Sequence, residues 1–137
     1  MDTSIRAKRI LTQLGNYQAI DLAQDRPSSL SDVNLGTPIG RYRNSDVQND
    51  VIWIFENGLA WFERDQVTSL RFDELAEVML PDGKESERLQ LKTKDGKPFQ
   101  LPVRGHRGRF LDSLEMLRFL DRVMQDMQKA SRSHLEH

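Results

Sequence analysis

The sequence predicts an α+β chain, mainly β, in which about seven antiparallel strands form a curled meander or barrel capped by a C-terminal helix, with a helical extension in front. Two periodicities predict it. Between Ile39 and Val103 apolar residues recur at every second position in short runs separated by turn residues, whereas after Arg109 the spacing lengthens to three and four. Composition supplies a third sign: 137 residues, 37% apolar and 30% charged, with a mean hydropathy of −0.64, suffice for one packed core with a highly charged surface.

The elements follow in chain order. Ala7, Ile10, Leu11 and Leu14 lie at i, i+3, i+4 and i+7, which predicts a short amphipathic helix from Thr3 to Leu14, stopped by Gly15-Asn16. Tyr17 to Leu35 mixes loop chemistry with a strand start at Ile20 and Leu22, and residues 1–36 together read as an extension packed on the domain. Ile39 to Arg43 opens the sheet. Val51-Ile52-Trp53-Ile54-Phe55 and Leu59-Ala60-Trp61-Phe62 flank Glu56-Asn57-Gly58, where Asn-Gly suits the positive φ angles of a two-residue hairpin turn. Val67 to Phe72 forms the next strand, and Ala76, Val78 and Leu80 alternate in the one after it. Leu89, Leu91 and Thr93 alternate with polar neighbours, Asp95-Gly96 turns the chain, and Phe99, Leu101 and Val103 alternate back.

The final helix is expected from Arg109 to Lys129. Phe110, Leu114, Leu117, Leu120, Met124 and Met127 mark the stripe that faces the sheet; Met116, Phe119 and Val123 form a second line, for the N-terminal helix or for a partner. The domain is thus expected over residues 37–130, with 131–137 a disordered tail. Its last residues, Leu135-Glu136-His137, resemble a purification-tag remnant.

Charge and composition exclude several functions. Setting Glu136 aside leaves 20 basic against 20 acidic side chains, so no global field draws the chain to nucleic acid or an anionic membrane. The absence of cysteine excludes thiolate catalysis, disulfides and the common structural zinc sites. No apolar run is long enough to span a bilayer and the start lacks the pattern of a secretory leader, so a cytoplasmic location is expected. No phosphate-cradling glycine loop, nucleophile elbow or dinucleotide fingerprint is present. His106 has no second histidine or carboxylate close in sequence, and Asp73, Glu74 and Glu77 lack the oxygen-rich loop of a calcium site. Neither a catalytic residue, a metal, a cofactor nor a small-molecule substrate is therefore assigned.

Two binding surfaces are candidates. Arg104-Gly105-His106-Arg107-Gly108-Arg109, with Arg41 and Arg43, makes an anion patch for a phosphorylated lipid or nucleic acid, or else a solvated loop whose glycines permit the turn into the helix. Trp53 and Trp61, equally spaced about the hairpin, are expected as cross-strand neighbours on one face, either in the core or, with Phe55 and Leu59, as an apolar protein-binding patch; the Met116, Phe119 and Val123 line of the helix is the other candidate protein interface.

Ile54-Phe55-Glu56-Asn57-Gly58-Leu59-Ala60-Trp61, Leu70-Arg71-Phe72-Asp73-Glu74-Leu75-Ala76-Glu77-Val78 and Leu89-Gln90-Leu91-Lys92-Thr93-Lys94-Asp95-Gly96, within a meander ending in an amphipathic helix, give a pattern that resembles bacterial pleckstrin-homology-like (PH-like) domains over about residues 38–128. Phosphoinositide-binding members carry a Lys/Arg cluster in the first hairpin loop. The corresponding stretch here, Asn44 to Asp50, holds two carboxylates and no cation. The resemblance therefore implies a non-enzymatic interaction module, of adaptor, stress-associated or immunity type, whose partner is another protein or a second copy of itself; the alternative is an anion-binding module.

Overall fold

The computed structural model describes residues 3–20, 34–45, 50–63, 66–80, 88–103 and 109–135. Helix α1 (Thr3–Ile10) tightens into a 3₁₀ turn at Leu11–Gln13, and the predicted residues Ala7, Ile10, Leu11 and Leu14 all point inward. Strands β1 (Tyr17–Ala19), β2 (Pro38–Arg43), β3 (Val51–Phe55), β4 (Gly58–Glu63) and β5 (Gln66–Arg71) form one antiparallel sheet in sequential order. Strands β6 (Leu75–Met79), β7 (Arg88–Thr93) and β8 (Pro98–Pro102) form a second, and α2 (Arg109–Leu135) closes the chain. The mixed, mainly β class is as predicted.

The single curled sheet is not. The meander divides between β5 and β6, eight strands replace seven, and among the described residues no sheet closes into a barrel. The break lies at Phe72–Glu74, a 3₁₀ turn whose first residue, Phe72, is predicted to end the preceding strand. Phe72 is fully buried there, edge-on to Phe119 of α2 with ring centroids 6.1 Å apart; its N–H still bonds to the first sheet, and the chain leaves the ladder directly after this ring is buried on the helix. Across the sheets Trp61 meets Phe99 in another edge-to-face contact, at 6.4 Å. The extra strand, β1, pairs with β2 just before the Ile20 start suggested by the sequence.

Both helices and both sheets share one core. It includes Leu11, Tyr42, Ile52, Ile54, Trp61, Leu89, Leu101 and Phe119. Both lines of α2 reach the core: Met116, Phe119 and Val123 are completely buried, as are Leu120 and Met124 of the first stripe, with Leu117 and Met127 half-buried against them and Leu114 exposed. Because α1 packs beside α2 while β6 and the Phe72 turn contact it elsewhere, the helix is covered over a wide arc. The Arg6 guanidinium clamps the pair, donating from Nε and Nη2 to the two carboxylate oxygens of Asp126 at 2.9 and 3.0 Å. Helix α2 also continues to Leu135, past the expected end at Lys129 and into the region expected as a tail. No described helix is long and apolar enough to cross a membrane.

Two single-residue irregularities correct the predicted faces. In the β3–β4 hairpin Trp53 pairs with Ala60 and Ile52 with Trp61, which places the two tryptophans on opposite faces. Trp61 belongs to the main core, and Trp53 joins Ile20, Leu35, Val51, Phe55 and Ala60 in a second cluster. The turn is therefore Glu56-Asn57, and Gly58 is the first residue of β4 without a positive φ. Glycine is required at position 58 by crowding, since a Cβ there would run into the Leu70 carbonyl. In β6 a register shift beside Leu75 leaves Ala76 unpaired and exposed, so Leu75 and Val78, rather than Ala76 and Val78, turn inward. The Asp95-Gly96 turn forms as predicted, with Gly96 at φ 87°.

Candidate interaction site

The predicted anion patch is assembled only in part. Arg104, His106 and Arg107 lie outside the described residues, and Arg109 supplies the first residue of α2. Arg41 and Arg43 lie on the outer face of β2, paired with Trp53 and Val51. The Arg41 guanidinium is already engaged: it donates to Gln18 Oε1 from Nε and Nη2 at 3.1 and 2.7 Å and lies 5.9 Å from the centre of the Trp53 ring. Arg43 is exposed. Asn44 donates its side-chain N–H to the Pro102 carbonyl at 3.0 Å, and Tyr42 donates its hydroxyl to Asp112 of α2 at 2.6 Å. These bonds bring the end of β2, the end of β8 and the first turns of α2 to one end of the molecule.

The predicted apolar interface is not assembled. Trp61, Met116, Phe119 and Val123 are interior, and Trp53, 5% exposed, is covered within its own cluster. Each of these side chains is spent on folding.

The sheet edges offer a different surface. Among the described residues there are four: β1, β5, β6 and β8. Three are protected in ways that discourage further pairing. β1 has only three residues, β6 carries the irregularity beside Leu75 and lies against α2, and β8 has proline at both ends. β5 has none of these devices. It keeps an unbroken register with β4 over all six residues of Gln66-Val67-Thr68-Ser69-Leu70-Arg71, without proline, lysine or bulge.

Its hydrogen-bond directions follow from one contact. Phe72 N–H donates to the Asn57 carbonyl at 2.9 Å, in the same register, while the Asn57 N–H goes to the Leu35 carbonyl, so Asn57–Phe72 is a bonded position at the end of the ladder, joined by one bond. Such positions alternate along an antiparallel ladder, which makes Leu59–Leu70, Trp61–Thr68 and Glu63–Gln66 the bonded positions of β4 and β5. Val67 and Ser69 therefore direct both N–H and C=O away from β4, toward the open edge, whereas the outward carbonyl of Arg71 caps the 3₁₀ turn that follows. The side chains of all three are exposed, Val67 by 37%. Arg71 pairs with Asp73 at 3.2 Å, which offsets its charge locally.

Beside this edge lies an open cleft of about 590 Å³, lined by Asp50, Phe62, Glu63, Gln66, Thr68, Arg88 and Pro102. Gln66 and Thr68 share their face of the sheet with Leu70 and Trp61, so the cleft opens where β5 projects beyond the core. Among the described residues no group of three or more His, Cys, Asp or Glu could hold a metal ion. The titratable side chains with shifted pKa values serve the framework. Arg6 holds the Asp126 carboxyl below the usual range, Thr93 does the same for Asp95 in the β7–β8 turn, and burial over Gly40 pushes the Tyr17 hydroxyl up to about 12. Sequence reasoning missed the β5 edge because its only linear sign is negative, a strand without prolines or lysines.

No family model matches the chain, and neither curated proteins nor solved structures give a match.

Proposed function

We propose that this protein is a non-catalytic interaction module that takes up an extended segment of a protein partner as an added strand along β5. The reading rests on one observation: Val67 and Ser69 direct their backbone groups outward on β5, the one sheet edge among the described residues that carries none of the protections of the other three. Main-chain pairing supplies affinity in such a mode, and alternate side chains of the added strand supply specificity. Those on one side face the cleft, where Asp50, Glu63 and Arg88 offer both signs of charge. A PH-like assignment is part of the same proposal. Its support is the order of the elements, four strands β2–β5 and three strands β6–β8 followed by a helix, with β1 and α1 as additions.

Paired proline substitutions test the reading. Ser69→Pro removes an outward N–H and places a ring on the free edge, so partners cross-linked to the wild-type chain in cells are lost while thermal stability changes little. Thr68→Pro breaks a bond to β4 and lowers stability by about 3 kcal/mol or more. Equal partner capture by wild type and a folded Ser69→Pro variant overturns the proposal.

A second reading, anion binding, is favoured by the convergence of Arg43 with the ends of β8 and α2. Salt-sensitive binding to anionic vesicles that weakens in Arg43→Ala supports it, and salt-independent or absent binding rejects it.

A further inference from the structure

We infer that the groove between α1 and the β1–β2 edge binds a small zwitterion with an apolar body, of the size of a free aromatic amino acid or a dipeptide. The groove lies at the opposite edge of the five-stranded sheet from β5, so the site is independent of strand uptake.

The groove encloses about 440 Å³, within the range of small-molecule sites. Ser4 and Lys8, one turn apart on α1, form one wall. Glu56, in the turn between β3 and β4, closes the end where β2 begins, since its N–H donates to the Thr37 carbonyl at 3.0 Å. Tyr17, Pro38 and Ile39 supply an apolar floor under this polar rim. Gly40 shapes the floor, because Tyr17 lies across it so closely that a Cβ there would collide with the ring and its hydroxyl.

Three polar groups on this groove point to the ligand. Among the described residues the Lys8 ammonium, the Glu56 carboxylate and the Tyr17 hydroxyl have neither a hydrogen-bond nor an ion-pair partner. Lys8 and Glu56 line one cavity without pairing with each other, so open space separates a cation from an anion. A molecule that carries both charges answers both, its carboxylate on Lys8 and its ammonium on Glu56, whereas a singly charged one leaves a side unmet. The Tyr17 ring serves the framework, and phenylalanine would cover Gly40 equally well. Its hydroxyl is half-buried and already pushed upward in pKa by that burial, and the bound carboxylate gives it the acceptor it lacks. The apolar body of the ligand rests on Pro38 and Ile39.

Titration calorimetry of the full chain with phenylalanine and with the dipeptide leucylphenylalanine tests the inference. Saturable binding of at least one of the two is expected, and its N-acetyl and carboxamide forms, each lacking one charge, should bind about tenfold more weakly. Lys8→Gln and Glu56→Gln should each weaken binding by a similar factor. Both side chains are exposed and unpaired, so the melting temperatures of these variants should stay close to that of wild type. Tyr17→Phe, which keeps the ring on Gly40, should weaken binding by about threefold without loss of stability. A wild-type chain that binds neither compound, a charge-blocked form that binds as tightly as its parent, or an affinity unchanged in any of the three variants overturns the inference.

Discussion

The two sheets of this protein meet solvent differently. In the five-stranded sheet every residue of β3 is buried, because Ile52 and Ile54 enter the main core while Val51, Trp53 and Phe55 enter a second cluster with Ile20 and Leu35. In the three-stranded sheet β7 alternates: Leu89 and Leu91 are inside, and Arg88 and Lys92 are exposed. The difference matches the two sequence patterns, a continuous apolar run and a strict alternation. An antiparallel strand of the first kind requires cover on both faces, and here the extension helps to supply it: Ile20 and Leu35 pack against the second face, while Gln18 holds Arg41 beside Trp53.

The largest effects are expected where both faces are covered. Trp61→Ala in the main core and Phe55→Ala in the second cluster should each cost about 3–5 kcal/mol in urea unfolding. A loss below about 1 kcal/mol for Phe55→Ala would make the second face an ordinary surface and erase the contrast. Next comes Gly58. Its role is steric, so Gly58→Ala and Gly58→Asn should both destabilise by about 1–3 kcal/mol, and stability retained by Asn would restore a left-handed turn as the reason for glycine.

A smaller, pH-dependent effect is expected at the helix pair. The Asp126 carboxyl has a folded pKa below its unfolded value, so its contribution is present in full above the unfolded value of about 4 and is lost as pH falls through the folded one. Asp126→Asn should therefore be less stable than wild type at neutral pH, and thermal melts should show the difference closing in acid. The smallest effect belongs to the wet face of the second sheet, where Lys92→Ala should change stability by no more than about 0.5 kcal/mol.

Much of the framework was legible because it depends on local pattern. The spacing of Ala7, Ile10, Leu11 and Leu14 locates α1, the apolar runs locate β3 and β4, and Asp95-Gly96 locates the β7–β8 turn. The proposed site was not legible. Whether Gln66 to Arg71 lies at an edge depends on where the next strand goes, and that was decided by Phe72 turning in to pack on Phe119.

What the sequence determined by itself, then, is the class of the chain, the place of most strands and the existence of both helices, since each follows from side-chain periodicity over a few neighbouring residues. Tertiary structure alone decided the faces: Trp53 opposite Trp61, the Met116, Phe119 and Val123 line in the core, and the break between the two sheets. The physical reason is that side chains along a strand alternate with a period of two. A one-residue change in pairing therefore reverses every face beyond it, and only the fit of the assembled core selects between the alternatives.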